Sequence, residues 1–235
     1  MTPMTTESMT QRQDGRYRIL LVDDHPLVRR GVADVLAREP DMRVCGEASD
    51  VAEALKELER AQPDLVLVDL TLKSGHGIEL IEKIKLSHPR VKTLVSSMHD
   101  EMLFAERVLQ AGAMGYITKQ EPPEMLVAAI RQVLRGEVYL SSRMTSRLLH
   151  RVATGSVPRE DPVSALSNRE IEVFEMLGQG QTIQQIAARL HLSPKTIETH
   201  REKIKQKLNL RTSAELNRRA VQWVLERGWS VNPTS

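Results

Sequence analysis

Cysteine is almost absent from this chain of 235 residues, and a single one, Cys45, excludes both a disulfide framework and a cysteine-rich zinc site. Cys45 follows Val44 in an apolar stretch expected to form a strand, which points to a buried, inert thiol. Long apolar runs are missing too: none approaches the roughly 18 residues of a membrane helix. The first 15 residues, rich in Thr, Gln and Met, lack the apolar core of a signal peptide, and a disordered tail is expected there. These absences lead to the expectation of a soluble, cytoplasmic protein with no membrane partner. Apolar residues make up 40% of the chain, enough for packed cores. As a prior, this length holds one or two domains.

Net charge is also scarce, at +2, but its distribution is uneven. Residues 16–138 carry 17 Lys and Arg against 20 Asp and Glu, a balance of −3. Residues 165–228 carry 11 against 7, a balance of +4. An acidic part and a basic part suggest two partners of opposite charge, with nucleic acid the candidate for the basic one.

What is present in the first half is a set of short apolar runs, each ending in a reactive group. Ile19 to Val22 precedes Asp23 and Asp24, and Leu65 to Val68 precedes Asp69. Leu94 to Ser96 precedes Ser97, and Tyr116 to Thr118 precedes Lys119. Such runs read as buried strands. Amphipathic stretches of helical period lie between them, so the order is β-α-β-α and the sheet parallel. The carboxyl ends of parallel strands share one edge, where ligands bind. Three carboxylates, a hydroxyl and an ammonium gathered there would hold a divalent cation and a phosphoryl group together. A carboxylate meets a phosphate donor as anion against anion; a cation held by Asp24, Asp69 and, through water, Asp23 removes that repulsion. Asp69 is then the nucleophile, Lys119 neutralises one phosphoryl oxygen and Ser97 hydrogen-bonds another. Each residue alone has a plainer reading: a helix N-cap for the Asp pair, with Asp24 or His25 ahead of Pro26, a turn for Asp69, a surface position for Lys119, a solvated loop for Ser97. Their common place at strand ends favours the site.

Helix signals place the rest. Pro26 opens a helix bearing Val28, Val32 and Leu36. Asp50 caps one with Ala52, Leu55 and Leu58 on its apolar side, and Pro122 and Pro123 open one with Leu126, Ile130 and Val133, ended by Gly136. Residues 141–150 read as a short amphipathic helix and 151–164 as a flexible linker. Beyond it no strand pattern appears. Ser167 with Glu170 has capping-box spacing, starting a helix through Leu177 that Gly178 and Gly180 stop. Thr182 starts a second helix with Ile183, Ile186, Ala187 and Leu190. After a turn at His191 and Leu192, Ser193 and Pro194 begin a third, running to about Leu208, and a last one spans about Ser213 to Arg227. Two short helices, a tight turn and a longer basic helix make a helix-turn-helix. The third helix carries Lys195, Arg201, Lys203, Lys205 and Lys207 with Thr196, Thr199 and His200. Its roughly 21 Å suffices to lie across a major groove.

Residues 17–138 resemble a receiver domain of two-component response regulators. The resemblance is carried by Leu21 to Pro26 (LVDDHP), Asp64 to Leu70 (DLVLVDL), Leu94 to Glu101 (LVSSMHDE) and Gly112 to Lys119 (GAMGYITK). It implies that Asp69 accepts a phosphoryl group from a sensor histidine kinase and that Mg²⁺ sits at Asp23, Asp24, Asp69 and Thr71. It also implies that Ser97, preferred over Ser96 because it adjoins the Met-His loop, and Tyr116 switch conformation, Tyr116 filling space that Ser97 leaves. Two departures stand out: Lys73 where this family usually has proline, and Met98 where it often has alanine. Gly77 is kept.

Residues 165–228 resemble the LuxR-type helix-turn-helix through Leu166 to Glu170 (LSNRE), Gly180, Ile186-Ala187, Leu192 to His200 (LSPKTIETH) and Lys207-Leu208. Here Thr182 to Gln185 (TIQQ) departs from the usual polar run. The resemblance places Glu198 and Thr199 at base-facing positions with Glu202 one turn on, and Lys195, Thr196, Arg201 and Lys205 as further DNA contacts. Together the two parts are similar to NarL/FixJ-type response regulators. Five segments are expected: a tail (1–15), an α/β receiver with a doubly wound, flavodoxin-like five-stranded sheet (16–138), helix and linker (139–164), the smaller all-α DNA-binding domain (165–228) and a tail (229–235). The implied partners are the kinase, double-stranded DNA, a second copy when phosphorylated, and RNA polymerase. Leu216, Ala220, Trp223 and Val224 are expected core on the last helix, its other side a dimer contact. The chain is not expected to be an enzyme: a phosphatase working through an aspartyl phosphate would want a second carboxylate two positions after Asp69, where Thr71 stands.

Overall fold

The computed structural model describes residues 15–154 and 162–226. Residues 1–14 of the expected first tail (1–15), 155–161 of the expected linker, 227–228 at the end of the expected DNA-binding domain and the expected last tail (229–235) lie outside the described residues. By contacts the chain divides into two compact units, Met1–Met144 and Thr145–Ser235.

The first unit alternates strands and helices. The strands are β1 (Tyr17–Val22), β2 (Met42–Ala48), β3 (Leu65–Val68), β4 (Lys92–Ser97) and β5 (Tyr116–Thr118). Between and after them come α1 (Pro26–Leu36), α2 (Val51–Ala61), α3 (Gly77–Ser87), α4 (Glu101–Ala111) and α5 (Pro123–Leu134). The sheet order is β2-β1-β3-β4-β5, and every neighbouring pair is parallel. Helices cover both faces of such a sheet, so central strands are apolar throughout; all four residues of β3 are buried. Ile19, Leu65, Leu94 and Ile117 pack with Leu126, Ile130 and Val133 of α5. The chain leaves β1 toward β2 on one side and continues from β3 on the other. Loops therefore diverge at the ends of β1 and β3 and open a crevice there.

Local signals act as expected at several ends. Asp50 accepts the Glu53 N–H and caps α2, and Pro122 and Pro123 open α5. Two expectations shift. The buried line of α2 is Val51, Ala54, Leu58 and Ala61: Leu58 is buried as expected and Leu55 half-buried, whereas Ala52 is exposed. Cys45 is half-buried rather than buried, because β2 is an edge strand; burial still pushes its thiol above the usual range.

Helix α6 (Ser142–Thr154) runs four residues beyond the expected end at 150. A 3₁₀ turn (Pro162–Ala165) falls inside the stretch read as linker. The second unit continues with α7 (Asn168–Gly178), α8 (Ile183–Arg189), α9 (Pro194–Lys207) and α10 (Ser213–Glu226). Capping boxes start α7 (Ser167 with Glu170) and α8 (Thr182 with Gln185), and Ser193 caps α9. Ile186, Ile197, Ile204, Leu216, Ala220, Trp223 and Val224 are buried, and the Phe174 and Trp223 rings meet edge to face at 5.2 Å.

Candidate functional site

Backbone pairing carries on past the strand ends and brings the reactive residues side by side. The Asp69 N–H donates to the Val22 carbonyl at 2.8 Å, which sets Asp69 beside Asp23. The Lys119 N–H donates to the Ser97 carbonyl at 2.9 Å, which sets β5 beside β4 in the same way. Residues nearly a hundred positions apart thus share one edge. Lys119 Nζ lies 2.6 Å from Asp23 Oδ2 and 2.6 Å from Asp69 Oδ2. Asp23 Oδ1 accepts the His25 N–H at 2.8 Å, and Asp24 Oδ1 stands 2.6 Å from His25 Nδ1. Ligand atoms of Asp23, Asp24, His25 and Asp69 all lie within 4.8 Å of one another. His25 was not expected among these ligand atoms. It precedes Pro26 as the N-cap of α1 without a side-chain cap bond.

Asp69 is buried. Burial raises its carboxyl above the usual range and the Asp23 charge adds to this, while the Lys119 ammonium opposes both. For Lys119, burial acts downward, but the two carboxylates outweigh it and raise its pKa. The cluster is therefore an electrostatically costly one that added positive charge relieves.

Gly77 is dictated by the same loop. A Cβ there would fall 2.2 Å from the Asp69 carbonyl oxygen, so only glycine lets α3 start beneath the acidic residue. Lys73, at the position of the missing proline, is exposed, and its N–H donates to the Ser49 carbonyl at 3.2 Å. Met98 is 44% exposed.

The remaining first-half residues form a connected group. Ser97 is wholly buried, and its hydroxyl accepts the His99 N–H at 3.4 Å. The Thr71 hydroxyl meets His99 Nε2 at 3.1 Å, so that hydroxyl faces the β4–α4 loop. Tyr116 is wholly buried, and its hydroxyl donates to the His99 carbonyl at 2.8 Å. Tyr116 thus lies inward here, with a carbonyl partner in the interior. Sequence reasoning missed His99 as a hub. Its only sequence signal is its place two residues after Ser97.

In the second unit Ile197 and Ile204 turn one side of α9 inward. Lys195, Glu198, Thr199 and Glu202 are exposed, while Arg201 and Lys205 are half-buried on the flanks. The Thr199 hydroxyl donates to the Lys195 carbonyl at 3.0 Å, and the Thr196 hydroxyl pairs with Ser193 Oγ at 2.8 Å in the cap. Lys205 Nζ is 2.9 Å from Glu202 Oε1. The seven residues proposed from the sequence therefore separate: four face outward, and Thr196, Arg201 and Lys205 are drawn to the helix cap or flank. Among the described residues no helix is long and apolar enough to cross a membrane.

Comparison with known proteins gives two family matches: the response regulator receiver domain over residues 19–131, and the bacterial regulatory proteins of the luxR family over residues 164–220. The chain is 37% identical over 204 residues to the oxygen regulatory protein NreC of Staphylococcus carnosus, covering 85% of this chain and 94% of that one. Among solved structures it resembles RcsB of Salmonella typhimurium, at 26% identity and a TM-score of 0.61, over 88% of this chain and 98% of the other. A second RcsB structure, from Salmonella enterica serovar Typhimurium bound to promoter rprA in the presence of the phosphomimetic BeF3−, matches with a TM-score of 0.57 at 26% identity, over 88% of this chain and 98% of that one.

Proposed function

Because this chain belongs to the response regulators that join a receiver domain to a LuxR-type DNA-binding domain, we propose that phosphorylation of Asp69 by a sensor histidine kinase controls its dimerisation and its binding to operator DNA. The observation that carries this reading is the Asp69 carboxylate itself, buried beside Asp23 with Lys119 Nζ at 2.6 Å from both. The donor set fits Mg²⁺: oxygen ligands from Asp23, Asp24 and Asp69 suit a hard cation, and their mutual repulsion calls for one. Bound there, the metal would neutralise the carboxylates and polarise the phosphoryl oxygens. Asp69 attacks phosphorus, the bond to the donor histidine breaks, and that nitrogen keeps the electron pair. Lys119 holds a developing phosphoryl charge and Ser97 is placed to donate to another oxygen. Thr71 would be the fourth residue of the metal set; its hydroxyl is engaged by His99 Nε2.

Support for the DNA half comes from the outward face of α9 and from the likeness to RcsB, which is bound to promoter rprA in the presence of the phosphomimetic BeF3−. Phosphate contacts fall to Lys195 first, then to Arg201, Lys205 and Thr196; Glu198, Thr199 and Glu202 read bases. The place of action is the cytoplasm, and RNA polymerase is the further partner of the bound dimer.

The test is phosphoryl transfer from acetyl phosphate with Mg²⁺. The protein gains a single alkali-labile phosphoryl mass, and Asp69→Asn gains none, because an amide is no nucleophile. Dimerisation and operator affinity rise with the modification. An equal mass gain in Asp69→Asn would overturn the assignment.

A further inference from the structure

We propose that α6 is capped in trans by α4, so that its first turn forms only while α4 keeps its present place. The argument starts from the caps. In α7, Ser167 Oγ accepts the Glu170 N–H and Glu170 Oε2 accepts the Ser167 N–H at 2.7 Å. In α8, Thr182 and Gln185 do the same. Both boxes are closed within four consecutive residues. Helix α6 has only half of one. Ser141 Oγ accepts the Met144 N–H at 3.1 Å, but Met144 stands at the third helical position and has no carboxylate to return. The Ser141 N–H donates instead to Glu101 Oε1 at 2.8 Å. Glu101 is the first residue of α4 and is buried. An acid from another helix completes the box.

A second hold acts two residues earlier. The Tyr116 N–H donates to the Tyr139 carbonyl at 2.9 Å, and the Tyr139 N–H donates to the Met114 carbonyl at 3.0 Å. Residue 139 thus adds to the free edge of β5, and a Cβ on Gly115 would come within 2.6 Å of its carbonyl oxygen. Glu101 and Tyr116 are both tied to the loop that serves Asp69. Tyr116 donates through its hydroxyl to the His99 carbonyl, and His99 holds Thr71, two residues after Asp69. Glu101 follows His99 by two residues. A phosphoryl group that recruits Ser97 must pull on this loop, and the loop carries both anchors of residues 139–144. The start of α6, which leads into the second unit, therefore reports on the site. This coupling rests on the reading of Asp69 as phosphoacceptor; the trans cap does not.

Hydrogen exchange of the full chain, followed by mass spectrometry on peptides covering residues 137–147 and 66–76, tests both. Glu101→Met keeps volume and removes the acceptor; exchange of 137–147 should rise roughly five- to tenfold, the scale of a lost cap. Glu101→Gln keeps an acceptor oxygen and should restore slow exchange. Wild-type protein with beryllofluoride and Mg²⁺ should show faster exchange at 137–147, and Glu101→Met should show a smaller further increase, from the Tyr139 hold alone. Unchanged exchange in Glu101→Met overturns the trans cap. A beryllofluoride response at 66–76 without one at 137–147 overturns the coupling. Absence of response at 66–76 overturns the phosphoacceptor reading instead, and leaves the cap to be decided by the Glu101 variants.

Discussion

Lys119 Nζ and Asp69 Oδ2 stand 2.6 Å apart at the end of the sheet, and the same nitrogen is equally close to Asp23. One ammonium serves two buried carboxylates. This geometry makes the folding of the acidic site depend on Lys119.

Lys119→Met should therefore destabilise the chain by on the order of 3 kcal/mol, the scale of leaving a buried charge without its partner. Mg²⁺ should restore more stability to this variant than it adds to wild type. Urea unfolding with and without Mg²⁺ measures both. An equal Mg²⁺ increment in the two proteins would contradict the shared role.

Gly77→Ala should cost about 1–3 kcal/mol, as overpacking against fixed backbone does, because the added Cβ meets the Asp69 carbonyl oxygen. It should also slow phosphoryl uptake from acetyl phosphate, since relief requires Asp69 to move. Thermal unfolding and the rate of mass gain should change together.

Glu170 predicts an acid limb in stability. Burial acts to raise its carboxyl, but Lys207 Nζ at 2.7 Å and the Ser167 N–H hold it below the usual range. A carboxyl with a lowered folded value stabilises above its unfolded value, about 4.3, and that stability fades as pH falls through the folded value. Wild type should exceed Lys207→Met in stability at about pH 6, with the gap narrowing below about pH 4. Thermal unfolding across that range checks it; a constant gap would exclude the linkage.

On DNA, Lys195→Ala should weaken all sequences alike and lower the salt slope by about 0.9. Glu198→Ala should instead relax preference at one base pair by roughly 1–3 kcal/mol, because a glutamate accepts from a cytosine amino group. Lys205→Ala should matter less than Lys195→Ala, its ammonium already lying 2.9 Å from Glu202. Binding to single-base operator variants at fixed salt separates these outcomes.

Much of this protein was legible in its residue order. Short apolar runs, period-3.6 patterns, Pro26, Asp50, Ser167, Thr182 and Ser193 are local devices, and local devices are written in neighbouring residues. The alternation of strands and helices made the sheet parallel, and a parallel sheet gathers Asp23, Asp69, Ser97 and Lys119 at one edge. What the tertiary structure alone decided depends on residues far apart in the chain. The edge position of β2 left Cys45 half-buried. Packing turned Val51 rather than Ala52 inward on α2. The loop brought His99 between Thr71 and Tyr116, and Tyr116 lies inward. On α9, burial of Ile197 and Ile204 turned Lys195, Glu198 and Thr199 outward and drew Arg201 and Lys205 to the flanks. The acid that completes the cap of α6 sits 40 positions away, at Glu101. No spacing rule reaches it, because a hydrogen bond between distant segments is set by how whole elements pack rather than by the order of residues within either one.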